Sequence, residues 1–155
     1  MLYLAKSLRQ LHFGKLMEVY IEGNLEKAAE TSLLQAEQDF YQYLQDCFFT
    51  TADAVYAVWM EGSEYISALR LEPYRDGLLL EALETAPKHR RQGYACKLMK
   101  AVAAEFSGRK IYSHVSKTNA ASLAAHEKCG FRKISDSATY IDGSVNDRAI
   151  TLCHQ

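Results

Sequence analysis

The sequence lacks any stretch long and apolar enough to cross a bilayer. Its longest uninterrupted apolar run, Ala54 to Met60, has seven residues, against the roughly 20 a spanning helix needs. It also lacks a Pro/Gly/Ser-rich linker, a low-complexity tract or an internal repeat, which excludes a solenoid and leaves one domain, residues 1–155, as the expectation. Charge of one sign is missing too. With 18 Lys and Arg against 19 Asp and Glu, the formal net charge is −1, so no global field draws the chain to nucleic acid or to an anionic membrane. Any anion site must be local. The four cysteines, Cys47, Cys96, Cys129 and Cys153, include no C-x-x-C pair and no Cys/His run with zinc-ligand spacing, so no metal site is expected. They read as reduced structural thiols. The first residues, Met1 to Lys6, lack the basic-then-apolar layout of a signal peptide, and a cytoplasmic location is the expectation.

What is present is an ordinary globular balance, 48% hydrophobic and 24% charged, enough for a core. A short strand is expected at Leu2–Ala5. Ser7-Leu8-Arg9-Gln10 matches a capping box, and Leu8, Leu11, Leu16, Val19 and Tyr20 follow at helical spacing until Gly23. Ser32 to Gln35 repeats the capping pattern before an apolar stripe from Leu33 to Cys47. The texture then changes. Ala54–Met60, Glu64–Leu71 and Leu78–Thr85 predict an antiparallel meander, with turns at Glu61-Gly62-Ser63 and Asp76-Gly77. A basic loop leads into a helix with its stripe at Ala95, Leu98/Met99, Val102 and Phe106, ended by Gly108. Ile111–Val115 predicts a strand and Asn119–Lys128 a helix. Phe131–Tyr140 and Arg148–Cys153 are expected as closing strands around Asp142-Gly143. The order predicts an α/β (α+β) domain with a mixed, mostly antiparallel sheet and helices on both faces. The parallel neighbours should be Leu78–Thr85 and Ile111–Val115, whose connection is long enough for a right-handed crossover.

The segment from Pro87 to Ala95 carries the chemistry. It joins a strand to a helix whose first N–H groups lack intrahelical partners and sit at the positive end of the macrodipole. Gly93 and Ala95 keep side chains small where a backbone must approach a ligand. Arg90 and Arg91 add forked donors suited to phosphate oxygens. Such a loop can cradle a pyrophosphate. The alternative is a solvated basic turn. The segment is neither a Walker A loop nor a dinucleotide fingerprint, since no G-K-[ST] follows and there is one glycine rather than three.

Arg90-x-x-Gly93-x-Ala95 resembles the R/Q-x-x-G-x-G/A signature of the GNAT (Gcn5-related N-acetyltransferase) superfamily. A second pattern of that family, V-x-x-x-N followed by a small residue, an aromatic and G-F, is matched by Val115, Asn119, Ser122, Gly130 and Phe131, with His126 in the aromatic place. The resemblance covers about Leu78 to Phe131. It implies an acyl-coenzyme A lying in the opening between two splayed parallel strands. The backbone near Leu83 and Thr85 would pair with the pantetheine arm as an added strand does. The backbone of Arg91, Gln92, Gly93, Tyr94 and Ala95 would hold the pyrophosphate, and Asn119 would hydrogen-bond the pantetheine region. Lys88 and Arg90 are further phosphate candidates. The implied co-substrate is acetyl-coenzyme A, and the implied acceptor a small-molecule or peptide amine. Homodimers are common in the family.

Acyl transfer from a thioester to an amine needs a neutral amine, although a free alkylamine has a pKa of about 10.4. It needs donors for the oxyanion and gains from a proton donor to the leaving thiolate, whose thiol has a pKa of roughly 8.5. Glu81 and Glu84 are the candidate bases. Strand alternation places them on opposite faces, and Glu81 is favoured because it then shares a face with Leu83 and Thr85. A bulge would undo that parity. The family's tyrosine acid is replaced here by His126, which as imidazolium is the expected general acid; Tyr140, Tyr112 and His114 are less supported substitutes. The competing readings are a GNAT fold that senses acyl-coenzyme A without turnover, and a phosphate-binding module. The acceptor would lie near Glu22 to Thr31, where Glu22, Glu26 and Glu30 would suit a cationic amine.

Overall fold

A computed structural model describes residues 1–155. The chain opens with β1 (Leu2–Ala5), a short 3₁₀ turn (Leu8–Gln10), then α1 (Phe13–Val19), α2 (Ile21–Ala28) and α3 (Leu33–Asp46). The meander follows as β2 (Val55–Glu61), β3 (Glu64–Tyr74) and β4 (Gly77–Thr85). Next come α4 (Tyr94–Glu105), β5 (Ile111–Ser116) and α5 (Ala120–Lys128). The chain closes through β6 (Arg132–Ser135), β7 (Ala138–Thr139), β8 (Val145–Asn146) and β9 (Ala149–His154).

Local chemistry accounts for several boundaries. Ser32 caps α3 as expected, its hydroxyl accepting from the N–H of Gln35 at 3.1 Å. The expected box at Ser7 does not form: Ser7 makes no side-chain cap bond. His12 caps α1 instead, its Nδ1 accepting from the N–H of Lys15 at 3.2 Å. Gly23 lies inside α2 rather than ending a helix. The expected single helix is broken at Tyr20, whose φ of −96° and ψ of 13° take it out of the helical basin.

Seven strands form one sheet in the order β1-β2-β3-β4-β5-β9-β6, and β7 pairs with β8 in a small second sheet. Within the large sheet only β4 and β5 are parallel, through Leu78–Ile111, Leu79–Tyr112 and Leu80–Ser113. This is the mixed, mostly antiparallel sheet expected. The strands stop pairing beyond Leu80 and Ser113, so the five residues from Glu81 to Thr85 border an opening on that side.

Each face of the sheet has its own core. Leu69, Leu71, Leu78 and Leu80 pack against Leu98, Met99 and Val102 of α4. Tyr56, Val58 and Ala68 pack against Leu16, Met17, Tyr20 and Leu44 of α1 to α3. A fully buried side chain of this size is worth about 1.5–3 kcal/mol. The two cores clamp the sheet between helix layers, and β4 contributes to both. Cys96 at the start of α4 and Cys129 at the end of α5 are joined in a disulfide, with Cα atoms 6.1 Å apart. Four reduced thiols were expected. The two partners are 33 residues apart in sequence, and only the packing of α4 on α5 brings them together. Cys47 and Cys153 are free.

Candidate active site

The strand bordering the opening is irregular. Ala82 has a φ of 52°, and the β3–β4 register slips between Ala68 and Arg70. Glu81 pairs with Arg70 and Glu84 with Ala68, so Ala82 and Leu83 together oppose the single residue Leu69. This is a β-bulge. It overturns the expected parity. Ala68 and Arg70 share the face covered by α1 to α3, so Glu81 and Glu84 both lie on that face. Leu83 packs instead with the α4 core, and the Thr85 hydroxyl lies 3.1 Å from that of Ser67. Glu81 therefore does not share a face with Leu83 and Thr85.

The environments of the two carboxyls differ. Burial pushes Glu81 up to about 8, helped by the neighbouring Glu72 and opposed by Arg70. Glu84 is raised by burial and held back by Arg90. Arg90 bridges Glu22 at 2.5 Å and Glu84 at 3.5 Å, and its Nε donates to the carbonyl of Thr85 at 3.2 Å. It thus ties α2 to the end of β4. Lys88 pairs with Glu64 on β3, as does His89 at 3.0 Å. Of the basic side chains in the loop, Lys88 and Arg90 are engaged with carboxylates, while Arg91 is exposed and has no ion-pair partner.

The loop ends as an open helix N-terminus. Gly93 is the N-cap of α4, with φ of 80° and no side-chain cap, so the first N–H groups of α4 are left without a capping side chain. A Cβ on Gly93 would meet nothing within 4 Å. Glycine is favoured there by the left-handed backbone, not by crowding. Arg91 shares that region, with φ of 59°. Gly93 in the left-handed region followed by the helical Tyr94 makes an αL–αR step, the backbone conformation from which anion nests are built. Tyr94 stacks edge-on against His89, with ring centroids 5.9 Å apart, which fixes the loop on the helix.

Across the opening, Asn119 is the N-cap of α5, its Oδ1 accepting from the N–H of Ser122 at 3.1 Å. That bond leaves its amide NH₂ as the group able to meet a ligand carbonyl. His126 is 2% exposed. Its Nδ1 lies 2.7 Å from the carbonyl of Ser122, and its Nε2 lies 2.9 Å from the hydroxyl of Ser113. A carbonyl only accepts, so Nδ1 carries the proton and Nε2 accepts from Ser113. Burial lowers the pKa of the ring. The expectation of a free imidazolium acid does not fit this geometry, since both nitrogens are engaged and the charged form is disfavoured. Among the substitutes, Tyr112 donates to Asp76 at the far end of β5. His114 and Tyr140 stack on each other, with ring centroids 5.2 Å apart.

The model of the acetyltransferase (GNAT) family matches residues 6–131. The chain belongs to this family. No curated protein matches the sequence, but many solved structures share the fold. The PaiA N-acetyltransferase of Thermoplasma acidophilum, solved with coenzyme A, superposes with a TM-score of 0.63 at 13% identity, over 100% of this chain and 99% of that one. An aminoglycoside 6′-acetyltransferase of type Ii gives 0.67 at 13% identity, over 100% and 96%. The ribosomal-protein-S18-alanine N-acetyltransferase of Escherichia coli gives 0.63 at 16% identity, over 99% and 93%. At these identities the likeness establishes the fold. This GNAT chain differs from the sequence expectation at the bulge and at Arg90. The signal for the bulge was weak: Ala82 is an ordinary strand residue, and nothing in its type announces a positive φ.

Proposed function

We propose that this GNAT protein transfers the acetyl group of acetyl-coenzyme A to a primary amine, by direct attack of the amine on the thioester. The observation that carries this reading is the juxtaposition of the β4/β5 opening with the uncapped N-terminus of α4. One end offers backbone groups of β4 to an extended pantetheine arm, near Leu83 and Thr85. The other offers the N–H groups of Gln92 to Ala95 to a pyrophosphate, with Arg91 alongside. Asn119 would meet the arm from α5. Backbone donors fixed by the fold cost no reorganisation when charge arrives.

Glu81 is the proposed base. Burial raises Glu81 to about 8, so it becomes a base as pH approaches that value, and a proton it takes is held firmly. When the tetrahedral intermediate collapses to the amide, the C–S bond breaks and the departing thiolate takes up a proton, from Glu81 or from water. Glu84 stands on the same face but is committed to Arg90. No dedicated acid is assigned. A thiol of pKa roughly 8.5 is a modest leaving group, and holding amine and thioester together supplies much of the acceleration. His126 is given the role of fastening α5 to β5 through Ser113. That burial also favours a second reading, a fold that binds acyl-coenzyme A without turnover.

The test is release of free coenzyme A from acetyl-coenzyme A over an amine panel, with binding of acetyl-coenzyme A measured by calorimetry on the same preparation. Binding with thiol release supports the transferase. Binding without release for any amine supports the sensor, and no binding removes both.

A further inference from the structure

Arg70 stands in one row across the sheet, between Tyr56 on β2 and Glu81 on β4. Its guanidinium lies over the rings of Tyr43, Phe48 and Phe40, at 5.0, 5.7 and 6.0 Å from their centroids. Stacking holds the group in place, yet its donors are not used up. Nε is buried with no hydrogen-bond partner, and so is the hydroxyl of Tyr56 beside it. Tyr56 lies beside Tyr20 and Arg70. The carboxylate oxygen of Glu81 is 3.8 Å away, beyond hydrogen-bond range.

Arginine cannot shed its proton. The cation is favoured by Glu81 and by the surrounding rings, but its buried Nε forgoes a hydrogen bond. The guanidinium therefore has donor capacity left for an acceptor that is brought in. Glu81 attracts the guanidinium from 3.8 Å without bonding Nε.

Arg70 is also reachable. It forms one wall of a cleft of about 640 Å³ between the α2–α3 connection and the sheet, shared with Lys27, Thr31, Phe40 and Tyr43. Glu30 and Asp39 stand in the same cleft and are exposed. The next row of the sheet on this face is Ala68–Glu84, two residues along β3, or about 7 Å at roughly 3.3 Å per residue. The bulge and the opening toward the thioester lie beside it. A group held by Arg70 is thus a few bonds from where an amine would attack.

We infer that Arg70 binds a carboxylate of the acceptor, so that the acceptor is an amino acid whose reacting amine lies a few bonds from that carboxylate. The inference deepens the acetyltransferase reading and rests on it. A planar carboxylate matches the guanidinium fork with two parallel hydrogen bonds, which no amine of the acceptor can do. The exposed Glu30 and Asp39 would instead favour a carboxylate-free polyamine, and the experiment separates the two.

Matched pairs are compared as acceptors with acetyl-coenzyme A: lysine and cadaverine, ornithine and putrescine, alanine and ethylamine. Free thiol is followed. In at least one pair the carboxylated member should have the higher kcat/KM by about tenfold to a hundredfold, the size of a charge-assisted hydrogen-bonded pair. Arg70→Gln should erase that advantage by raising KM for the amino acid alone, while any effect through Glu81 should appear in kcat for both members alike. If Arg70→Gln does not fold, Arg70→Lys, which keeps the charge without the fork, should retain only part of the advantage. Equal or better use of the decarboxylated amines overturns the inference, as does an Arg70→Gln or Arg70→Lys variant that treats both members of a pair as the parent does. An equal loss for both members also overturns it. Absence of thiol release with every amine would sink the acetyltransferase reading itself, and the inference with it. Release with carboxylate-free amines alone sinks the inference and keeps that reading.

Discussion

The hydroxyl of Tyr20 donates a 2.6 Å hydrogen bond to the carbonyl of Ala82, the residue whose positive φ breaks β4. Tyr20 is the joint between α1 and α2, so the helix pair and the bulge are fastened at one point. A bulge frees a carbonyl from the ladder, and a buried carbonyl needs a partner. Tyr20→Phe should lower stability by about 1 kcal/mol, the usual net value of such a bond. It should also lower kcat/KM for the amine more than for acetyl-coenzyme A, because the loosened segment carries Glu81 and Glu84. A thermal melt and steady-state kinetics on one preparation check both. An unchanged kcat/KM would show that the bulge holds its shape without Tyr20.

Glu81 links catalysis to stability in opposite directions. A carboxyl near 8 in the fold, against about 4.3 when unfolded, binds more protons in the native state. Its contribution is present below about pH 4 and is lost as pH rises toward 8. Glu81→Gln cannot ionise. The difference in Tm between variant and parent should therefore move in the variant's favour from pH 5 to pH 8. Its kcat should fall by about 10²–10⁴-fold, the usual effect of losing a general base. Glu84→Gln, which frees Arg90, should cost far less turnover. A large kcat loss in Glu84→Gln with a small one in Glu81→Gln would exchange their roles.

At Gly93 the backbone and the charge can be separated. Gly93→Asn introduces a residue that tolerates the left-handed region and meets no neighbour within 4 Å. Gly93→Asp tolerates it similarly but sets a carboxylate at the mouth of the α4 N-terminus. Both should melt within a few degrees of each other. Calorimetry should find acetyl-coenzyme A binding weakened much more by the aspartate. Equal affinities for the two would place the pyrophosphate elsewhere.

His126 is expected to matter for the fold more than for the reaction. Burial lowers its pKa, so the native state takes up this proton less readily than the unfolded chain. Its contribution to stability is present above about pH 6.5 and declines as pH falls below that value. His126→Ala removes the bonds to Ser113 and Ser122 and leaves a cavity against Phe131, whose ring centroid is 5.0 Å away. The melting temperature should drop, and its decline between pH 7 and pH 5 should be shallower than the parent's. Turnover per folded molecule should stay within about threefold of the parent, well below a general-acid effect. A kcat loss of a hundredfold or more, with the alkaline limb moved upward in His126→Tyr, would restore the histidine to the chemistry.

Much of the architecture was legible because its signals are local. The apolar runs and turns of β2 to β5, the cap at Ser32 and the glycine at the start of α4 are each written within a few residues. The two motifs gave the family in the same way, since a nest of N–H groups is made by neighbours in the chain. The break at Tyr20 was hidden because Tyr20 continues the apolar spacing of α1, and its departure from helix is decided by where the next helix must pack.

The sequence by itself determined the meander, the helices α3 to α5 and the family motifs, because apolar spacing and turn chemistry act over a few residues. It did not show the break at Tyr20 or the division of the expected strand Phe131–Tyr140 into β6 and β7. Tertiary structure alone decided which way the side chains of β4 point. The bulge at Ala82 forms between strands and puts Glu81 and Glu84 on one face. It also decided that Arg90 serves Glu22 and Glu84, that His126 is sealed against Ser113, that Cys96 meets Cys129 and that Arg70 is left with an unanswered donor. Each of these contacts joins residues from different elements. The free energy of a charge or a hydrogen bond is set by what packing brings within a few ångströms of it, which no local pattern encodes.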